Sequence, residues 1–309
     1  MSETVIQVNH FRKQYGSVIA VEDISFEVNQ GEIFGLLGPN GAGKTSTLEC
    51  LEGLRQPDGG SLRILGIDPV RQPARLKNLI GVQLQSSGLP GSMTPHEAIQ
   101  FFCAYHGVAP RYDLLERLGL QEKQNTQFSG LSTGQQRRLA LALAMAHRPP
   151  VIFLDEPTAG LDVPSRIELH SLMSELQAEG TTIILATHDM AEAEKMAHRV
   201  AILLRGKIAA AGTPAQLTAT GQRLTKISVS SEASCLSVNG TGFPAVNQRV
   251  VKDDYSIFYS TNPGQTVSAI LSYLENHHDP LVDLRVERPS LEERFLEITS
   301  SVAKIGAQP

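Results

Sequence analysis

GPNGAGKT, residues 38–45, follows the apolar run Ile33–Leu37 and opens a helix-patterned stretch from Lys44 to Glu52. Strand, glycine-rich loop, then helix is the context in which such a loop holds phosphate. Gly38, Gly41 and Gly43 let the backbone wrap tightly and aim its N–H groups at a phosphate. Lys44 brings a mobile cation and Thr45 a hydroxyl suited to Mg²⁺. Pro39, Asn40, Ala42 and Ser46 complete the expected nucleotide-binding stretch.

Two further stretches extend this reading. LSTGQ spans Leu131–Gln135, and LDEPTAGLD ends at Asp162. A Ser-Thr-Gly turn at a helix start offers N–H groups and a hydroxyl to phosphate through Ser132, Gly134 and Gln135. A chain with one complete phosphate loop needs a second such turn only to reach a different nucleotide, which predicts two copies closing head to tail around ATP. Asp155 and Glu156 follow the apolar run Val151–Leu154, where a carboxylate at a parallel strand's C-terminal end faces the ligand crevice. Asp155 is a Mg²⁺ ligand candidate, and Glu156 a base for the attacking water.

Composition narrows the field. With 309 residues and a net charge of -5, the chain has no basic field to favour nucleic acid. Cys50, Cys103 and Cys235 share no metal-type spacing and read as reduced, cytosolic thiols. The N-terminal stretch lacks a signal pattern, and no apolar run approaches the ~18–20 residues of a membrane span. A cytoplasmic place is expected, and if the protein works at the cell membrane, peripheral on its cytoplasmic face, another chain must cross it.

The patterning predicts an α/β protein. Thr4–Val8 and Val21–Val28 alternate as antiparallel strands, and Ile183–Ala186 adds another doubly buried strand of a mixed, largely parallel sheet. Residues 86–148 read as a helical insertion. Composition shifts after Gly212-Thr213-Pro214, which divides the chain into a nucleotide-binding domain over 1–215 and a small α+β domain over 216–309. Thr225, Ile227 and Val229 alternate as a strand in that domain, as do Val282, Leu284 and Val286. Between them Val267, Ile270, Leu271 and Leu274 form a helical face. Ser290 with Glu293 makes a capping box for a last helix.

In order and spacing these elements resemble the nucleotide-binding subunit of an ATP-binding cassette (ABC) transporter, a phosphate-loop ATPase, over about residues 4–215. The resemblance implies ATP and Mg²⁺ as cofactors and ATP hydrolysis coupled to transport. It places adenine stacking at Tyr15, with Phe11 the competing candidate. The hinge glutamine falls at Gln85, near both metal and water, with Gln83 its rival by one register slip. His188 falls at the γ-phosphate switch position, and Asp162 in a loop that meets the opposing phosphate loop. Thr133 replaces the glycine of the commonest signature, LSGGQ. Because Ser132 and Gly134 are kept, little loss of hydrolysis is expected.

The implied partners are a separate integral membrane permease and a second ATPase subunit, identical or homologous; nucleic acid is not among them. The stretch between Lys44 and Leu131 leaves no room for the long coiled coil of a chromosome-maintenance or repair ATPase, and one phosphate loop argues against a tandem translation factor. A monomeric phosphate-loop kinase would leave LSTGQ and His188 without purpose. PSLEERFLEIT, residues 289–299, resembles the end of subunits driving type-two exporters such as drug- and antibiotic-resistance pumps. Export is therefore the expectation. The alternatives are an importer motor, whose appendage more often forms a β-barrel, and a non-transport ABC ATPase.

Overall fold

Continuous apolar runs need cover on both faces, and a parallel sheet supplies it. The computed structural model describes residues 3–83, 88–219, 224–236, 242–287 and 290–305. In it β3 (Ile33–Leu37), β6 (Val151–Asp155) and β7 (Thr182–Thr187) are buried along their whole length. With β5 (Ile80–Gln83), β8 (Arg199–Leu204) and β9 (Lys207–Gly212) they form one sheet in the order β5-β6-β7-β3-β8-β9. Every pairing in it is parallel except β8 with β9. The crevice at the C-terminal ends of β3, β6 and β7 therefore gathers the residues that follow each strand.

A second sheet is antiparallel, in the order β2-β1-β4, from β1 (Thr4–Tyr15), β2 (Val18–Asn29) and β4 (Gly59–Ile64). β1 and β2 run well past the apolar alternation read from sequence, because polar residues continue the pairing to Tyr15↔Val18. Phe11, Ile24 and Ile64 from this sheet and Phe34, Phe153 and Ile184 from the larger one belong to one core, which also takes in Leu48 and Leu51 of α1 (Lys44–Leu51). After the four-residue α2 (Pro73–Leu76), the insertion carries α3 (Pro95–Tyr105), α4 (Asp113–Arg117) and α5 (Thr133–Met145). Two helices follow the sites on β6 and β7, α6 (Val163–Ala178) and α7 (Met190–Met196). The ABC cassette fold expected from the sequence is present.

Contacts divide the chain at Thr213/Pro214. The second unit starts with α8 (Pro214–Ala219) and holds a four-stranded antiparallel sheet. Its strands are β10 (Thr225–Ser231), β11 (Val246–Lys252), β12 (Tyr255–Ser260) and β13 (Leu281–Glu287), in the order β11-β12-β10-β13. α9 (Pro263–Asn276) packs Ile270 and Leu274 with Ile227, Val229 and Phe258. α10 (Leu291–Ile305) begins at the Ser290–Glu293 capping box expected from sequence. The α+β character holds; the β11–β12 hairpin is an addition to the two strands read from sequence.

Asp279 pins this unit. Its carboxylate, 3% exposed, accepts from Ser231 Oγ at 2.8 Å, Ala233 N at 2.7 Å and Cys235 N at 2.9 Å. Burial pushes the carboxyl up, but the Cys235 and Ala233 N–H groups and the Ser231 hydroxyl outweigh it and hold it well below the usual range. A depressed carboxylate contributes stability that is full above its unfolded value, ~4, and lost as pH falls through the folded one. Asp279→Ala should therefore lower the melting temperature at pH 7 by several degrees. The deficit should shrink in strong acid, a trend that differential scanning calorimetry across pH would follow.

Candidate functional site

The loop after β3 is shaped by its glycines. Gly38, Gly41 and Gly43 have φ of 152°, 79° and 106°. A Cβ on Gly38 would lie 2.3 Å from the Leu203 carbonyl oxygen, and one on Gly43 2.6 Å from that of Ala20. No side chain fits either position. The turn closes through Ala42 N–H to Pro39 O, 3.1 Å, and Gly43 caps α1. Asn40 lies on the exposed part of the loop, and Ser46 takes the Tyr15 hydroxyl hydrogen bond at 3.3 Å.

Lys44 is buried and folds back over the loop, donating to Gly38 O at 2.7 Å and lying 3.5 Å from Glu156 Oε1. Thr45 Oγ1 donates to Asp155 Oδ2 at 3.0 Å. Burial lifts the Asp155 carboxyl above its ordinary value; the Thr45 hydroxyl opposes this and the Glu156 charge adds to it. A hydroxyl and a carboxylate side by side are the hard oxygen donors Mg²⁺ takes. Among the described residues no cluster of three or more His, Cys, Asp or Glu could hold a metal.

Glu156 is the best-tethered residue here. Its backbone sits at φ 50°, a conformation that costs a non-glycine residue ~1–3 kcal/mol unless surroundings enforce it. Its N–H reaches Ala186 O at 2.9 Å, and its carbonyl accepts from Ala159 N and from the Arg137 guanidinium. The side chain is buried, with Oε2 2.7 Å from His188 Nδ1 and Oε1 without a hydrogen-bond partner among the described residues. His188 is 56% exposed at its side chain. A carboxylate held through Oε2, with Oε1 3.5 Å from the Lys44 ammonium, suits taking a proton from a water that enters beside that lysine.

Thus Thr45 meets Asp155, and Lys44 and His188 meet Glu156, at the C-terminal ends of β3, β6 and β7. Tyr15 is 38% exposed, its ring flanked by Lys13 and Arg55 with centroid distances of 5.1 and 5.4 Å. Phe11, its rival, is fully buried in the core and has no face to offer a base. Gln83 is buried at the end of β5, while Gln85 lies outside the described residues.

The signature residues occupy another place. Ser132 caps α5 in a reciprocal box with Gln135, Gln135 N to Ser132 Oγ at 3.3 Å and Ser132 N to Gln135 Oε1 at 3.0 Å. Thr133 is the first helical residue, so its β-branch meets no positive φ. Gly134 faces Leu161 and Ser165, and Asp162 caps α6 by accepting from Ser165 N at 3.1 Å. Neither Ser132 nor Gly134 shows a contact with the phosphate loop of its own chain among the described residues.

Two residues beside the site escaped sequence reading. Arg137, one turn into α5, ties the signature helix to the Glu156 carbonyl. Glu52, just past α1, is buried with Oε2 unpartnered; burial, then the charges of Asp155 and Glu49, push its carboxyl up to about 8. Only RR after LSTGQ hinted at the first, and nothing in the sequence marked the second.

Residues 21–159 match the family profile described as ABC transporter. The chain is 32% identical to the linearmycin resistance ATP-binding protein LnrL of Bacillus subtilis (strain 168), across 96% of this chain and 98% of that protein. It is 33% identical to the Nod factor export ATP-binding protein I of Ralstonia nicotianae (strain ATCC BAA-1114 / GMI1000), across 96% and 94%. A solved ATP-binding subunit of an ABC transporter superposes with a TM-score of 0.65 at 27% identity, covering 69% of this chain and 91% of that one. The dimeric bacterial ABC transporter cassette MJ0796 gives 0.61 at 25% identity, covering 67% and 98%.

Proposed function

The chain belongs to the ABC transporter family as an ATP-hydrolysing subunit, and from that membership we propose that it drives an exporter, with two copies enclosing two ATP molecules head to tail. The observation that carries the shared site is the separation of its halves. The phosphate loop, Thr45, Asp155 and Glu156 come together at the ends of β3 and β6, while Ser132 and Gly134 present a helix start with no contact to that loop among the described residues. The dimeric cassette MJ0796 supports the pairing.

Each residue has a defined task. The loop N–H groups and Lys44 hold the phosphates, with Lys44 exchanging the Gly38 carbonyl for them. Tyr15 stacks on adenine, a contact worth ~1–3 kcal/mol by analogy with bases on aromatics. Thr45 and Asp155 hold Mg²⁺, with Gln85 completing its surroundings; bound there, the ion offsets phosphate charge. Glu156 accepts the water's proton at Oε1 while His188 fixes Oε2 and reaches toward the γ-phosphate. Ser132, Gly134 and Gln135 of the second copy close the site, and Asp162 lies near the opposing phosphate loop. The work is positioning and electrostatic stabilisation of the γ-phosphoryl group.

Arg137 holds the Glu156 main chain, so it is a positioning residue. Arg137→Ala should lower kcat roughly tenfold, the worth of one charge-assisted hydrogen bond, with KM for ATP little changed. Steady-state kinetics separates this from a general loss of binding, which would raise KM.

Export is favoured because likeness to LnrL and to the Nod factor export protein runs through the second unit as well as the cassette. That unit is a sheet with helices, not the barrel more typical of importers. Among the described residues no helix is long and apolar enough to cross a membrane. A separate permease therefore supplies the path, with this chain on its cytoplasmic face. Cells lacking this chain should become more sensitive to members of a panel of antibiotics, and regain resistance with the intact chain but not with Lys44→Ala. Unchanged sensitivity together with lost uptake of a nutrient would favour an importer.

A further inference from the structure

β13 is an edge strand. It pairs with β10 on one side and with no strand on the other among the described residues. Such an edge offers unpaired N–H and C=O groups, and proteins usually cover or blunt it. Here Leu281, Val282 and Val286 are 41%, 62% and 52% exposed. Leu284 packs against the core under α9, and Val286, two residues on and opposite Ile227, shares its face; an irregularity between Asp283 and Leu281, which pair with the adjacent Ser230 and Ser231, takes Val282 out of that alternation. Asp283 and Arg285 stand on the opposite face, where Tyr255 Oη donates to Asp283 Oδ2 at 2.7 Å and Arg285 Nε to the same oxygen at 2.7 Å.

The sequence Val282-Asp283-Leu284-Arg285-Val286 complements itself when run antiparallel. With Leu284 opposite its own copy, Asp283 faces the second copy's Arg285 and Arg285 the second copy's Asp283. Leu284 then meets its own copy on the apolar side, with Val286 of each strand beside it. Sliding the register by two residues sets Asp283 against Asp283 or Arg285 against Arg285. Sliding it by one sets Leu284 against Asp283 or Arg285. Charge and hydropathy thus select one register out of those available.

We propose that the free edge of β13 binds a second copy of this chain antiparallel about Leu284, joining two four-stranded sheets across a two-fold axis. The pairing satisfies the edge's backbone groups and covers the exposed Val286, and its symmetry is that of an isologous dimer. The contact needs no nucleotide and does not depend on the shared ATP site. It keeps two motors together between cycles, so that any ATP-driven closure starts from a high effective concentration.

Light scattering of the nucleotide-free full chain over a concentration series tests this. The intact chain should show twice its 33.5 kDa mass. Arg285→Glu sets like charges opposite each other at two symmetric points and should weaken the dimer roughly tenfold or more. The exchange Asp283→Arg with Arg285→Asp restores both cross-strand pairs and should restore the dimer, which a mere folding defect would not do. A nucleotide-free chain that stays monomeric throughout would overturn the proposal. So would a dimer untouched by Arg285→Glu, or a folded double exchange that fails to pair.

Discussion

Glu156→Gln is expected to bind ATP as the intact chain does and to hydrolyse it roughly 10²–10⁴-fold more slowly, the span of general-base catalysis. The substitution keeps the shape and the hydrogen-bonding oxygen facing His188, and it leaves the backbone ties to Ala186, Ala159 and Arg137 untouched. It removes only the capacity to take a proton at Oε1, the oxygen left without a hydrogen bond. Binding, which rests on the phosphate loop, should be preserved, so a fluorescent-nucleotide titration and a phosphate-release assay should diverge. Normal turnover would remove Glu156 from the role of base.

Lys44→Ala should act at the other step. The ammonium is buried between the Gly38 carbonyl and Glu156, so it is held within reach of any phosphate that enters. Two charge-assisted hydrogen bonds lost to the phosphates correspond to a roughly 10²-fold weaker ATP affinity. The variant also leaves the Glu156 carboxylate buried without its cation, which adds to the penalty. The same titration should show weak binding and no turnover, whereas unchanged affinity would mean that the lysine does not touch phosphate.

The phosphate loop was legible because its chemistry admits few residues: glycines where φ is positive and a Cβ would strike a carbonyl, lysine and threonine where the helix starts. The cassette's buried strands were legible for the same kind of reason, since four or five consecutive apolar residues admit little else. Where sequence left a choice, burial separated the candidates: Phe11 fills the core and Tyr15, farther along the same strand, is exposed. Arg137 and Glu52 were invisible because a charged residue on a helix normally reads as solvated, and only the fold carries these two inward. The β11–β12 hairpin was missed because polar residues crowd it and its turn is formed by Asp253, at φ 53°, rather than a glycine. Val286 alternates as a half-buried strand should, yet it stands half in solvent on an edge strand, and nothing in the sequence marked the irregularity that takes Val282 out of the alternation.

The central claim is that Ser132 and Gly134 complete the ATP site of another copy. The most direct measurement is the mass of Glu156→Gln combined with Arg285→Glu, with and without Mg-ATP. The charge reversal weakens any contact at β13 roughly tenfold or more, and the protein is measured dilute enough that such a weakened contact is dissociated. The account predicts a monomer without nucleotide, a dimer with Mg-ATP, and loss of that dimer when Ser132→Arg is added. A monomer under both conditions, or an ATP-dependent dimer indifferent to Ser132→Arg, would contradict it.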